Sequence, residues 1–193
     1  MSQQLGFFGS DARVLVDDAS GSIVYYPEIL APGDAAAIFE RLLTAIPWRS
    51  ERRMMYEREV DVPRLVASAP IDDALVAPLA GVVPVVESIA GVRFTTIGMN
   101  LYRDGHDSVA PHNDRLPEIV PGYPIALLSL GATRRMTIRS KATPRRILDL
   151  DLEAGSLLVM SYETQHHYDH GIPKTRAEVG PRISLAFRVR PQK

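Results

Sequence analysis

The sequence predicts an α+β fold in which helices buttress one side of a jelly-roll-like double sheet. Three features predict it: helical periodicity is confined to the first half, short β-type runs fill the second, and no linker-like stretch divides them. In the first half, Ser22–Leu30 reads as an extended segment. Pro32-Gly33-Asp34 then opens a helix whose apolar positions Ile38, Phe39, Leu42, Leu43 and Ile46 keep helical spacing. A second helix fits Pro84–Ala90, because proline is tolerated in a first turn, where its missing N–H would have no partner anyway. From Arg93 onward the β-type runs are Arg93–Arg103, Ile125–Gly131, Arg134–Lys141, Ile147–Leu152, Ser156–Ser161 and Arg182–Arg190. Glycines at 105, 122, 131, 155, 171 and 180 punctuate them, the pattern of closely spaced strands in a sandwich or barrel. The expectation is one domain over 1–193, with a core over about 93–190 and N-terminal helices and a lid over about 22–92.

Composition narrows the chemistry. Hydrophobic residues at 46% and charged residues at 23% suit a globular protein with a real core. Charged residues, proline or glycine interrupt every apolar run before it reaches the length of a membrane span, so no membrane is expected as a partner. Met1–Ser10 lacks a basic-then-apolar profile, which makes the cytoplasm the expected compartment. No obligate protein partner is expected. There is no cysteine, which excludes disulfides, thiolate zinc sites and cysteine nucleophiles; histidines and carboxylates remain as metal ligands. A net charge of −1 gives no global basic field. Basic residues do cluster at Arg49, Arg52, Arg53 and Arg58, and again at Arg134, Arg135, Arg139, Lys141, Arg145 and Arg146, each group readable as solvated surface or as contacts for a polyanion.

The five histidines, His106, His112, His166, His167 and His170, fall in two short segments, Asp104–Arg115 and Glu163–Pro173. In the first, His112-Asn113-Asp114 places an imidazole and a carboxylate two apart, on one face of an extended strand. A third ligand from another strand would complete two histidines and one carboxylate, the set that non-haem iron(II) oxygenases use with coordination positions left open. In the second, period two puts His166, Tyr168 and His170 on one face, and the pattern does not choose between His166 and His170.

The last run alternates without a break. Ile183, Leu185, Phe187 and Val189 form an apolar face; Arg182, Ser184, Ala186, Arg188 and Arg190 form the other. That second face is either half exposed, with its arginines in water, or a pocket floor on which Arg182 and Arg188 flank two small residues. A floor of that kind suits a small dicarboxylate, because a guanidinium fork matches a carboxylate.

Five fragments in order resemble the AlkB family of iron(II)/2-oxoglutarate dioxygenases: Asn100-Leu101-Tyr102-Arg103-Asp104-Gly105, His112-Asn113-Asp114, Gly155-Ser156-Leu157-Leu158-Val159-Met160, His167-Tyr168-Asp169-His170-Gly171-Ile172-Pro173, and Pro181-Arg182 to Phe187-Arg188. The likeness runs from about Trp48 to Val189 and is nearest to the branch that repairs alkylated DNA. It implies a double-stranded β-helix with N-terminal helices and a substrate lid. It implies His112, Asp114 and His170 as the catalytic metal ligands, settling the third. It implies Asn100, Tyr102, Arg182 and Arg188 as residues for 2-oxoglutarate, with Arg182 on the far carboxylate. His167 matches a position just outside the ligands; His106 and His166 match none. The cofactor set implied is Fe(II), 2-oxoglutarate and O₂. The reaction implied is oxidative demethylation of alkylated bases in DNA or RNA, releasing formaldehyde, succinate and CO₂, with alkylated nucleic acid as the partner. A base in a duplex would have to leave the stack to react.

Three departures bear on substrate. Leu116, followed by Pro117, stands where repair enzymes carry an acidic residue; Ala67-Ser68-Ala69-Pro70 stands where a base-stacking loop is expected; and Ser184 and Ala186 are small. Tyr56, beside Arg52, Arg53 and Met55, offers either a stacking face for a base or an apolar lid. The alternative therefore keeps the oxygenase and changes its substrate to a small molecule or protein side chain. A non-catalytic β-barrel binding module is disfavoured, because the three ligands and both arginines are present.

Overall fold

The computed structural model describes residues 12–55 and 58–191, the side chains of 53–61 excepted. In chain order its strands are β1 (Arg13–Asp18), β2 (Gly21–Tyr26), β3 (Arg49–Met55), β4 (Arg58–Pro70), β5 (Thr96–Tyr102), β6 (Val109–His112), β7 (Ile125–Gly131), β8 (Arg134–Ser140), β9 (Ile147–Leu152), β10 (Leu157–Met160), β11 (Tyr168–Ile172) and β12 (Arg182–Arg188). The helices are α1 (Pro32–Ala45), α2 (Val83–Ala90) and α3 (Thr164–His167). Eight strands pair in the order β1-β2-β10-β7-β12-β5-β4-β3, and four in the order β6-β11-β8-β9. Every pairing is antiparallel.

Two apolar clusters lie on opposite faces of the large sheet. Ala126, Leu128 and Leu130 of β7 and Ile183, Leu185 and Phe187 of β12 pack with Phe39, Leu42, Leu79 and Val86 on the helix side. Ile125 and Leu127 of β7, Tyr102 of β5 and Ala186 of β12 pack with Met136, Ile138, Leu152 and Tyr168 between the two sheets. This is why β7 reads as an unbroken apolar run: both its faces are covered. Each fully buried Leu, Ile or Phe contributes about 1.5–3 kcal/mol relative to exposure, so the central strands are the rigid part of the molecule. In α1, Ala35, Phe39 and Leu42 make one buried stripe at i, i+4 and i+7, and Pro32 sits in the first turn where no N–H is needed.

The β-rich second half formed where the spacing expected it, with Ile125–Gly131 and Ile147–Leu152 matched end for end. The first half differs. Besides its helices it supplies β1 to β4; the segment expected to be merely extended is strand β2, and β4 pairs with β5 inside the large sheet. The β core therefore starts well before Arg93. Ala67–Pro70 is likewise strand, not loop: Ala67 and Ala69 pack toward the helix-side cluster, where small residues let the neighbouring helical segments approach. Tyr56 lies outside the described residues.

Candidate active site

β6 and β11 bring the two histidines together. His112 and His170 are register partners across that pair, with ring centroids 4.7 Å apart. A Cβ at Gly171 would meet the Val109 carbonyl at 2.8 Å, so glycine is what permits the close approach beside His170. Asp114 lies just past the end of β6, and one ligand atom from each of His112, Asp114 and His170 lies within 4.8 Å of the others. Among the described residues this is the one group of such donors able to hold a metal.

Each donor is prepared for an ion. His112 Nδ1 lies 2.9 Å from the Ala110 carbonyl. A carbonyl only accepts, so Nδ1 carries the proton and Nε2 keeps its lone pair. His170 is buried next to His112, and burial with that neighbour pushes its pKa down to about 3; it is neutral and ready to ligate. Burial opposes charge on Asp114, but Arg188 overrides it and holds the carboxyl below its ordinary range. Arg188 Nε and Nη2 donate to the two carboxylate oxygens, Nη2 at 2.9 Å. The Asp114 amide donates to Gln165 Oε1 at 2.9 Å. His112 is exposed while Asp114 and His170 are buried, so the group opens to solvent on the His112 side.

The floor comes from β5 and β12, the latter reaching the donor group through Arg188. Tyr102 is opposite Arg182, and Asn100 opposite Ser184. Arg182 is 1% exposed, yet only Nη2 is partnered, donating to Ser129 Oγ at 2.8 Å. Its Nε and Nη1 are buried with no partner among the described residues. Burial pulls its pKa down to about 10, so it remains a cation at neutral pH. A buried guanidinium with two idle donors is costly unless an anion completes it. A small carboxylate fits that vacant bonding capacity.

Tyr102 is buried between two cations, Arg182 at 5.3 Å and Arg134 at 5.7 Å from the ring centre; desolvation raises its pKa and keeps the phenol neutral. Asn100 Oδ1 accepts from Arg64 Nε at 2.7 Å. Arg188, expected among the residues for 2-oxoglutarate, sits at the other end of β12 from Arg182, on the metal side, with its guanidinium on Asp114. A Cβ at Gly98 would meet its Nη1 at 2.9 Å, so the missing side chain is its passage to Asp114.

The other histidines separate. His166 and His167 lie in α3, so strand alternation starts only at Tyr168; both are exposed, and only His170 reaches the site. His106 is 89% exposed by side chain, near Asp104. Leu116 packs toward the cluster between the sheets. The basic run at 134–146 is not one surface. Arg134 points inward with Met136 and Ile138, and its guanidinium donates to the carbonyls of Asp104, Asp107 and Pro173. Arg135 points outward, to Asp151. The strand parity Arg134, Met136, Ile138 signals that inward turn in the sequence. Arg64 and Gln165 carry no such local signal.

A family model described as the 2OG-Fe(II) oxygenase superfamily matches residues 65–188. The chain belongs to that superfamily. The AlkB likeness of this oxygenase is borne out by curated relatives. The DNA oxidative demethylase ALKBH2 of Homo sapiens is 36% identical over 110 residues, 53% of this chain and 42% of the relative. The alpha-ketoglutarate-dependent dioxygenase alkB homolog 3 of Rattus norvegicus is 31% identical over 186 residues, 86% of this chain and 63% of the relative. The oxygenase thus spans less than two thirds of the length of either.

Two solved structures share the fold alone. OsALKBH1 aligns with a TM-score of 0.64 at 12% identity, covering 92% of this chain and 100% of that one. A prolyl hydroxylase in complex with a hypoxia inducible factor peptide, from Trichoplax adhaerens, aligns with 0.65 at 11% identity, covering 88% and 84%. The fold is the jelly roll of 2-oxoglutarate oxygenases, and Fe(II), 2-oxoglutarate and O₂ are the cofactor and co-substrates of the oxygenase.

Proposed function

We propose that this chain oxidatively demethylates alkylated bases in nucleic acid, DNA or RNA, releasing formaldehyde, succinate and CO₂. The observation that carries it is the His112, Asp114 and His170 donor group, together with a buried arginine, Arg182, that has two nitrogens unpartnered among the described residues and shares a strand with the Arg188 that holds Asp114. In this reading His112 Nε2, the Asp114 carboxylate and His170 hold iron. Arg182 and Ser129 take the far carboxylate of 2-oxoglutarate, with Asn100 and Tyr102 alongside. Arg188 acts one step away, keeping Asp114 ionised and aimed. Bound metal and co-substrate supply the oxidising chemistry; the chain's residues supply position, charge and exclusion of water. Ser184 and Ala186 leave the floor open.

Nucleic acid is favoured by the relatives, one a DNA oxidative demethylase by name. It is also favoured by Arg139, Arg145 and Arg146, which remain at the surface or near it once Arg134 and Arg135 are accounted for. The expected setting is the cytoplasm. A second reading keeps the chemistry and changes the substrate to a small molecule or protein side chain. It is favoured by the face of β4 turned from the helices, which carries Arg64, Val66 and Ser68 and no aromatic.

Oligonucleotides carrying different methylated bases, incubated with iron(II) and 2-oxoglutarate and read by mass spectrometry, separate the two. Loss of a methyl mass with formaldehyde release is the expected result. Unchanged masses across the whole panel, with succinate still formed, would favour the second reading. No succinate from the wild-type chain would remove both.

A further inference from the structure

Two of the three metal donors sit on paired strands; the third does not. His112 and His170 face each other in the β6–β11 ladder, but Asp114 lies beyond the end of β6, where no ladder bond sets its position. Something else must hold the arm 113–114. The Asp114 amide bonds to Gln165, and Gln165 is itself buried in α3, at the foot of β11. The remaining tether comes from a different strand.

Lys141 follows β8 directly. Its ammonium donates to Asn113 Oδ1 at 3.0 Å and to the Gln165 carbonyl at 3.1 Å, and it pairs with Asp169 Oδ1 at 3.4 Å. An ammonium has three donors; here two make hydrogen bonds and the charge pairs with Asp169. Each acceptor is the chain neighbour of a ligand or the holder of one: Asn113 adjoins both His112 and Asp114, Gln165 holds Asp114, and Asp169 precedes His170. The Lys141 amide also donates to the His167 carbonyl at 2.8 Å, which fixes where its side chain starts. Asn113 passes the restraint on, its Nδ2 donating to the Asp114 carbonyl at 2.9 Å.

We propose that Lys141 is a positioning residue for the metal, a strut that locks the Asn113–Asp114 arm to the strand carrying His170. This rests on reading His112, Asp114 and His170 as the ligands. It separates Lys141 from Arg145: the lysine's ammonium is held within the protein by Asn113, Gln165 and Asp169.

The test is a cobalt(II) titration of the full-length wild type, Lys141→Met and Lys141→Arg, followed by visible absorption, with thermal unfolding of the metal-free proteins alongside. Lys141→Met is expected to bind cobalt about tenfold more weakly, at the low end for groups that orient ligands from outside. Its absorption spectrum should change while its metal-free melting temperature does not. Lys141→Arg should recover most of the affinity. Wild-type affinity and spectrum in Lys141→Met would overturn the proposal, even if binding to a single-stranded oligonucleotide fell. So would weaker cobalt binding that merely tracks a lower melting temperature with an unaltered spectrum. A wild type that binds no cobalt would sink the ligand reading itself, and the strut with it.

Discussion

The two sides of the site are built by different means. On the floor, Tyr102, Arg182 and Ser129 belong to β5, β12 and β7, three neighbouring strands of the large sheet whose registers fix their places. On the metal side, His170 belongs to β11, His112 ends β6, and Asp114 has left the ladder for contacts with Arg188 and Gln165. The floor is held by backbone throughout; on the metal side backbone pairing holds the two histidines, and side chains hold Asp114. A site half built on a rigid sheet keeps its co-substrate pocket ready, whereas the ligand arm depends on a few polar groups that single substitutions can loosen.

The strongest way to break that comparison is Arg182→Met. It should weaken 2-oxoglutarate binding about 100-fold or more, as expected when one partner of a buried charged contact is lost. Cobalt affinity should hold, and metal-free stability should stay level or rise, because an incompletely bonded buried cation is removed. Calorimetry and thermal unfolding read the two effects. Retained 2-oxoglutarate binding would mean that β12 is not the co-substrate floor.

Acid should act on the other side. His170 has a folded pKa of about 3 against 6.5 in the unfolded chain, so below pH 6.5 the unfolded state takes a proton that the native state refuses. Stability is therefore complete above about 6.5 and is lost as pH falls toward 3. Urea unfolding of the metal-free protein should show a loss of about 2 kcal/mol between pH 7.5 and pH 5. His170→Asn should flatten that slope. Arg182, charged up to about pH 10, contributes nothing in this window.

The smallest expected effect sharpens the contrast. Gly98→Ala puts a methyl in the path of Arg188 without touching a ligand. The flexible guanidinium gives way, and part of its grip on Asp114 is lost. Cobalt affinity should fall about fivefold, in keeping with a net hydrogen bond of about 1 kcal/mol. An equal loss of 2-oxoglutarate affinity would blur the division between the two sides.

The same division explains what the sequence made legible. Strand β12 could be read because its alternation separates Ile183, Leu185 and Phe187 from Arg182, Ser184 and Arg188, and the sheet preserves that separation. The period-two reading of Glu163–Pro173 failed at its start because α3 turns His166 and His167 away before β11 begins; the AlkB likeness, not the pattern, picked His170. Arg182 and Arg188 were legible as the two ends of the floor, but the hold of Arg188 on Asp114 was not, because the two lie 74 residues apart in the chain. Gln165 and Arg64 were invisible because their partners, Asp114 and Asn100, lie 51 and 36 residues away. In β1 to β4, mixed polarity hid strands that are placed by pairing, β2 with β10 and β4 with β5, and β1 and β3 beside them.

Tyr102 gives the protein a gauge of its own. Its ring is held between the guanidinium groups of Arg134 and Arg182, and the phenol is sealed from water. Neutralising one of those two flanking fields changes the electronic surroundings of the ring. Occupancy of the arginine-lined end should therefore register as a shift in near-ultraviolet circular dichroism, with no label and no turnover.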